Sequence, residues 1–188
     1  MVPFALALFC LVGSTTQAQD PKPDAWAPLR FLVGEWQGVA TGEPGAGTAD
    51  RRYEFILNHR FLHERNTSAF PPQAKNKTGE VHEHWSLFSY DRKRKTFLFR
   101  QFHQEGFVVT YALNSTLSTP SKLVFESEQL ENVPSSWKAR ETYELISNHE
   151  FIETFEIAQT DRPYAVYSRN HFWRRQPGLP ELKRPPAD

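Results

Sequence analysis

Cysteine is almost missing from this chain: Cys10 is the only one in 188 residues. It sits inside the apolar run Val2–Val12, so the body of the chain has no disulfide, no thiol nucleophile and no thiolate metal ligand. Covalent haem attachment through Cys-x-x-Cys-His is excluded on the same ground. An excess of one charge is also missing. The 22 Lys+Arg are matched by 22 Asp+Glu, which removes the electrostatic footprint of a nucleic-acid binder. Glycine (9) and proline (14) are too sparse for a fibrous or low-complexity chain. The hydrolase signatures Gly-x-Ser-x-Gly and His-Glu-x-x-His do not occur; His63-Glu64 and His149-Glu150 each lack the second His. No glycine-rich phosphate loop follows a strand. The run Arg92-Lys93-Arg94-Lys95 has the composition of a nucleic-acid patch but reads as a basic hairpin turn.

Aromatic residues are what the chain has in quantity, at 14%. That much aromatic area argues for a folded core, and the length suits a single domain. At the start, Val2–Val12 followed by Gly13-Ser14-Thr15-Thr16-Gln17-Ala18 reads as a secretory signal peptide over residues 1–18, with a small-x-small cleavage site at Thr16-Gln17-Ala18. The run is too short to span a bilayer comfortably. The expected product is an exported protein, periplasmic or secreted, with no stable membrane insertion once the leader is cleaved. Its folded domain covers 19–175, and a proline-rich tail over 176–188 reads as disordered. Three Asn-x-Ser/Thr sequons (Asn66, Asn76, Asn114) matter only in a eukaryotic secretory pathway.

A short helix opens the body, with Trp26, Leu29 and Leu32 on one face, and Gly34 ends it. Beyond it the 3.6-residue period disappears and alternation between turn signals takes over. Ten strands follow: 35–41, 51–57, 61–69, 80–90, 96–103, 107–113, 122–128, 138–145, 151–159 and 164–175. Their short connections make neighbours antiparallel. A ten-strand meander avoids exposed edges by closing on itself, so the expected fold is an all-β, up-and-down, calycin-like barrel with a short N-terminal helix. Eight strands enclose a space that side chains can fill, and ten should leave a cavity. Several strands carry bulky or charged groups on both faces: Phe107, Val109, Tyr111 and Leu113 share a side, and Arg100 lies between Leu98 and Phe102. Such mixed lining suits a barrel that holds a ligand, which makes Tyr111 and Arg100 candidate ligand contacts.

His82 and His84 are two apart on one strand and point the same way. That spacing suits two imidazoles converging on a metal, which needs a third ligand. His103 lies on the next strand, but pairing centred on Lys93 sets it opposite Glu83, on the other face. Trp85 and Leu87 share Glu83's face, which then reads as the dry one. A metal-dependent enzyme built on His82 and His84 is the alternative to a binding protein.

The stretch Phe31-Leu32-Val33-Gly34-Glu35-Trp36-Gln37-Gly38-Val39-Ala40-Thr41-Gly42 resembles the opening of the nitrobindin-like haem-binding β-barrel family, within the lipocalin and fatty-acid-binding group. The stretch His82–Phe99 is similar as well, with a His early in a strand, a tight Asp-containing turn and an apolar strand. Uncharacterised bacterial domains with the same Gly-x-Trp opening look just as close. The resemblance implies a ten-stranded barrel with a pocket at one end. It gives Gly34 and Trp36 a structural role, the indole closing one end under an Arg from the last strand, Arg169 or Arg174. It places His82 in the distal pocket. It also implies an iron ligand on the last strand, where His171 is the histidine present. A straight match puts that position on Asn170 or Ser168, and a β-bulge is needed to turn His171 inward. Tyr167 and Arg169 resemble the pair with which fatty-acid-binding barrels hold a carboxylate. The expected function is therefore the binding of a small hydrophobic or amphipathic ligand, with haem or a fatty acid as the possible occupants.

Overall fold

The structure is a computed structural model that describes residues 24–175. Residues 1–23 and 176–188 lie outside the described residues, and with them the expected signal peptide over 1–18, Cys10 and the expected disordered tail. A short 3₁₀ helix, η1 (Ala27–Leu32), precedes ten strands: β1 (Gly34–Gly42), β2 (Gly47–Ile56), β3 (Phe61–Phe70), β4 (Glu80–Asp91), β5 (Thr96–His103), β6 (Val108–Leu113), β7 (Lys122–Glu131), β8 (Lys138–Ser147), β9 (Glu150–Ala158) and β10 (Ala165–Arg174). Each strand pairs with its sequence neighbours, and β10 returns to pair with β1 along Trp36↔Arg174 through Gly42↔Ser168, closing the barrel. The expected fold class holds, and the second strand begins earlier than the sequence suggested, at Gly47.

The period-two pattern decides which side chains enter the barrel. On β4 the inward set is His82, His84, Ser86, Phe88 and Tyr90; on β5 it is Phe97, Phe99, Gln101 and His103. The apolar partners fill one end. Phe88, Phe99, Phe125, Tyr143, Phe151 and Phe172 are fully buried and meet in edge-to-face or stacked pairs, such as Phe88 on Phe99 at 4.7 Å and Phe151 on Phe172 at 4.9 Å.

Helix η1 plugs that end. Leu29 and Leu32 are wholly buried, and Trp26 packs on Phe55 and Phe97. Trp36 Nε1 donates to the Leu32 carbonyl at 2.7 Å. Arg174 lies over the indole at 4.2 Å and donates to the Val33 and Phe31 carbonyls, both at 2.6 Å. One guanidinium thus satisfies two carbonyls at the end of the helix while making a cation–π contact. Of the two last-strand arginines weighed from sequence, Arg174 takes this place. Gly34 has φ +125, a conformation L side chains avoid, and a Cβ there would stand 2.6 Å from Arg174 Nη1.

Candidate functional site

The opposite end of the barrel is hollow. A cavity of about 420 Å³ opens between the strand ends there, within the size range of small-molecule sites. Its inner wall is polar, with Arg51, Asn66, Gln101, Glu141, Glu153 and Asn170. Its outer wall is mostly apolar, with Phe70, Phe107, Val109, Leu130, Trp137, Phe155 and Ile157.

The polar layer is organised by Arg51 on β2, which points inward and seats its guanidinium 4.6 Å over the Phe172 ring, on the boundary with the aromatic plug. Both of its Nη atoms hydrogen-bond the Glu153 carboxylate, Nη2 to Oε2 at 2.6 Å. Its Nε donates to Asn66 Oδ1 at 2.9 Å, and Nη1 lies 3.3 Å from Glu64 Oε1. Tyr53 donates to Glu64 at 3.1 Å, and Asn170 donates to Glu153 at 2.8 Å. A buried charge is tolerated when it is paired in this way. Burial alone would raise Glu64, yet the Arg51 guanidinium beside it and its hydrogen bond with His84 bring its carboxyl down to about 2.

Glu141 on β8 is different. Burial, reinforced by the Glu153 charge, pushes its carboxyl well above the usual carboxylate range. Its Oε2 is buried with no hydrogen-bond partner, which is costly inside a protein. It lines the cavity.

Above this layer three imidazoles meet in the cavity wall: His82 and His84 from β4, and His103 from β5. Their ring centroids are 5.3 to 5.6 Å apart. Burial holds the His103 imidazole down to about 2, and the nearby His84 and His82 add to the effect. His103 therefore stays neutral.

Here the sequence expectation is corrected. His103 pairs with His84, not with Glu83, because the β4–β5 hairpin closes on Asp91↔Thr96 with four residues between. Asp91 Oδ1 accepts the backbone N–H groups of Lys93 and Arg94, each at 2.9 Å, and Lys95 takes φ +54. Counting from Lys93 assumed an odd loop, and one residue of register moved the partner. The face assignment also reverses: Trp85 is exposed on the outer surface, against His63 and Arg65.

The other candidates divide. His82 and His84 line the cavity. Tyr111 points inward but is buried against Phe99 at 4.3 Å, within the packed core. Arg100 and Arg169 are exposed and lie on the outer surface. Tyr167 sits at the rim of the cavity, where a β-bulge between Val166 and Ser168 interrupts the pairing of β10 with β9. The bulge turns Tyr167 toward the opening and leaves His171 outside. His171 meets Glu150 Oε1 at 2.6 Å and stacks on Trp173 at 4.1 Å. The inward positions of β10 belong to Ser168 and Asn170, so these residues do not fit a haem held by a last-strand histidine. Asn66 is inside and hydrogen-bonded to Arg51, which removes it as a glycan acceptor. Sequence reasoning missed the whole polar layer of Arg51, Glu64, Glu141 and Glu153. The available signal was the alternation Ala49-Arg51-Tyr53 and Leu62-Glu64-Asn66, which sets charged residues in step with apolar ones.

No protein-family model matches the chain, and no curated protein matches it. Among solved structures it is similar to the crystal structure of Rv2717c from M. tuberculosis, with 13% identity and a TM-score of 0.59, covering 84% of this chain and 100% of that one. At that identity the likeness speaks for the fold alone, and by fold the chain is a calycin-like barrel of ten antiparallel strands.

Proposed function

We propose that this is an exported binding protein that holds one small amphipathic molecule in the open half of its barrel. The observation that carries the reading is the two-sided cavity, with an apolar outer wall and a polar inner wall that includes an unpartnered Glu141 oxygen. An apolar body would pack against Phe107, Leu130, Trp137 and Phe155. A polar end that donates hydrogen bonds, such as an amine, amide or hydroxyl, suits the Glu141 side. A carboxylate is a poorer match for the inner wall: Arg51 is engaged on all sides, Arg169 is outside, and the remaining lining cation, Lys138, is at the exposed rim. A fatty acid in the orientation suggested by Tyr167 and Arg169 is disfavoured for that reason, and haem through His171 is left out of the reading. Export rests on the leader-like segment 1–18.

The test uses the full chain expressed in its own host, purified gently, unfolded and analysed by mass spectrometry for a released small molecule. Ala139 is buried in the cavity wall, so Ala139→Trp fills the space. A molecule released in one-to-one amount from the wild type and absent from a folded Ala139→Trp supports the reading. If the wild type releases nothing, and a series of long-chain amines and alcohols leaves the Trp137 emission and the melting temperature unchanged, the reading fails. N-terminal sequencing of the same preparation tests cleavage after Ala18.

A further inference from the structure

We propose that His82, His84 and His103 form a binding site for a divalent d-block cation, zinc above all, in the wall of the cavity. The geometry points to it in two ways. First, the inward nitrogens already stand at the separation a metal demands. His82 Nε2 lies 3.4 Å from His84 Nδ1 and 3.4 Å from His103 Nδ1. A tetrahedral zinc with Zn–N near 2.05 Å sets its ligands about 3.3 Å apart. One donor atom from each of the three residues falls within 4.8 Å of the others.

Second, the outward nitrogen of each ring has a hydrogen-bond acceptor. His82 Nδ1 meets Glu105 Oε1 at 2.9 Å. His103 Nε2 meets Gln101 Oε1 at 3.0 Å. His84 Nε2 faces the Glu64 carboxylate, with Oε1 at 3.5 Å as its acceptor; the Gln101 amide nitrogen at 3.3 Å is a donor and does not serve as one. A ring that donates its far N–H to such a partner turns the lone pair of the near nitrogen toward its neighbours. Acceptors of this kind fix the tautomer and orientation of metal-bound histidines. Two rings hydrogen-bonded from behind, a third facing a carboxylate there, and all three converging in front make an arrangement that packing alone does not require. His84 Nδ1 also lies 3.4 Å from Asn66 Nδ2, and the metal would displace that contact.

The donor set selects the metal. Three neutral imidazoles suit zinc, cobalt, nickel or copper, whereas calcium and magnesium require oxygen. Three protein ligands leave a fourth position open. The rings line the cavity, so that position faces the space where a small molecule would sit, and an oxygen or nitrogen atom of the occupant would complete the sphere. The site stands independently of whether an amphipathic molecule is bound, and metal binding is measured without one.

The experiment uses the full chain stripped of metal, titrated with zinc by calorimetry and with cobalt by visible absorption. One equivalent of zinc and the intense visible bands of four-coordinate cobalt, bleached by added zinc, are expected. Calcium and magnesium should not compete. His82→Ala and His103→Gln should each weaken zinc binding by about a hundredfold or more. Glu105→Gln, at a half-exposed position where folding is not at risk, should weaken it by about tenfold to a hundredfold. His171→Ala, on the outer face of β10, and His63→Ala, buried against Trp85 outside the cavity lining, should leave it unchanged. The exposed group Glu80, His82 and Glu105 survives in His103→Gln, so unaltered zinc affinity in that variant overturns the proposal, as does a wild type that takes up no zinc at micromolar concentration.

Discussion

The two ends of this barrel are built from the same strands with the same alternation, yet one is solid and the other hollow. At the plugged end, inward positions carry Trp36, Phe88, Phe151 and Phe172, and η1 adds Leu29 and Leu32. At the open end the same strands present Ala40, Ser68, His82, His84 and Asn170. Strand number fixes the bore, and residue size, layer by layer, decides whether it is filled. Between them lies a charged layer in which Arg51 forms ion pairs with Glu153 and Glu64 but not with Glu141. The lesson is that stability and binding occupy different lengths of one tube, and substitutions can separate them.

The largest effect should come from the plug. Trp36→Ala removes a fully buried indole, its bond to Leu32 and the seat of Arg174, and should cost about 4–5 kcal/mol in urea unfolding. Arg51→Met leaves Glu153 and Glu64 buried without their cation and should cost about 3–4 kcal/mol by the same measurement.

Glu141→Gln should move the other way. The folded state holds this carboxyl protonated well above the ordinary value. As pH rises past the unfolded-state value near 4.5, the unfolded chain releases its proton while the folded chain keeps it, so the contribution of this carboxyl to stability falls with rising pH until its folded-state value is reached. Glu141→Gln removes that loss. The variant should gain on the wild type by up to ~1.4 kcal/mol for each pH unit above 4.5, seen as a difference in melting temperature between the two proteins that widens as pH rises. A parallel pH profile in the two proteins would place the carboxyl in water. The smallest effect belongs to the rim: Tyr167→Ala, at a partly exposed side chain, should change stability by less than about 0.5–1 kcal/mol while altering ligand release. A large loss there would mean the rim supports the fold.

The contrast also sets what could be read from sequence. Strand count, closure and the Trp36 end were legible because alternation, turn residues and the Gly-x-Trp opening act locally. The site was half legible. His82 and His84 share a face by parity alone, but His103 joins them through a hairpin whose length depends on Asp91 capping two backbone N–H groups and on Lys95 accepting a positive φ. Neither is visible in hydrophobic patterning. The exposed Trp85 misled for a related reason: a large aromatic residue looks like core until its register is known. Arg169 and His171 face outward because the bulge at Tyr167 inverts the alternation of the residues after it on β10, and Arg100 falls on the outward parity of β5.

Among the described residues, the chain enters the barrel through η1 and leaves it at Arg174, beside Trp36 and Val33, so both of these flanks lie on the plugged side. A label placed at the exposed Asp24 would therefore sit on the far side of the molecule from the cavity and leave its opening unobstructed.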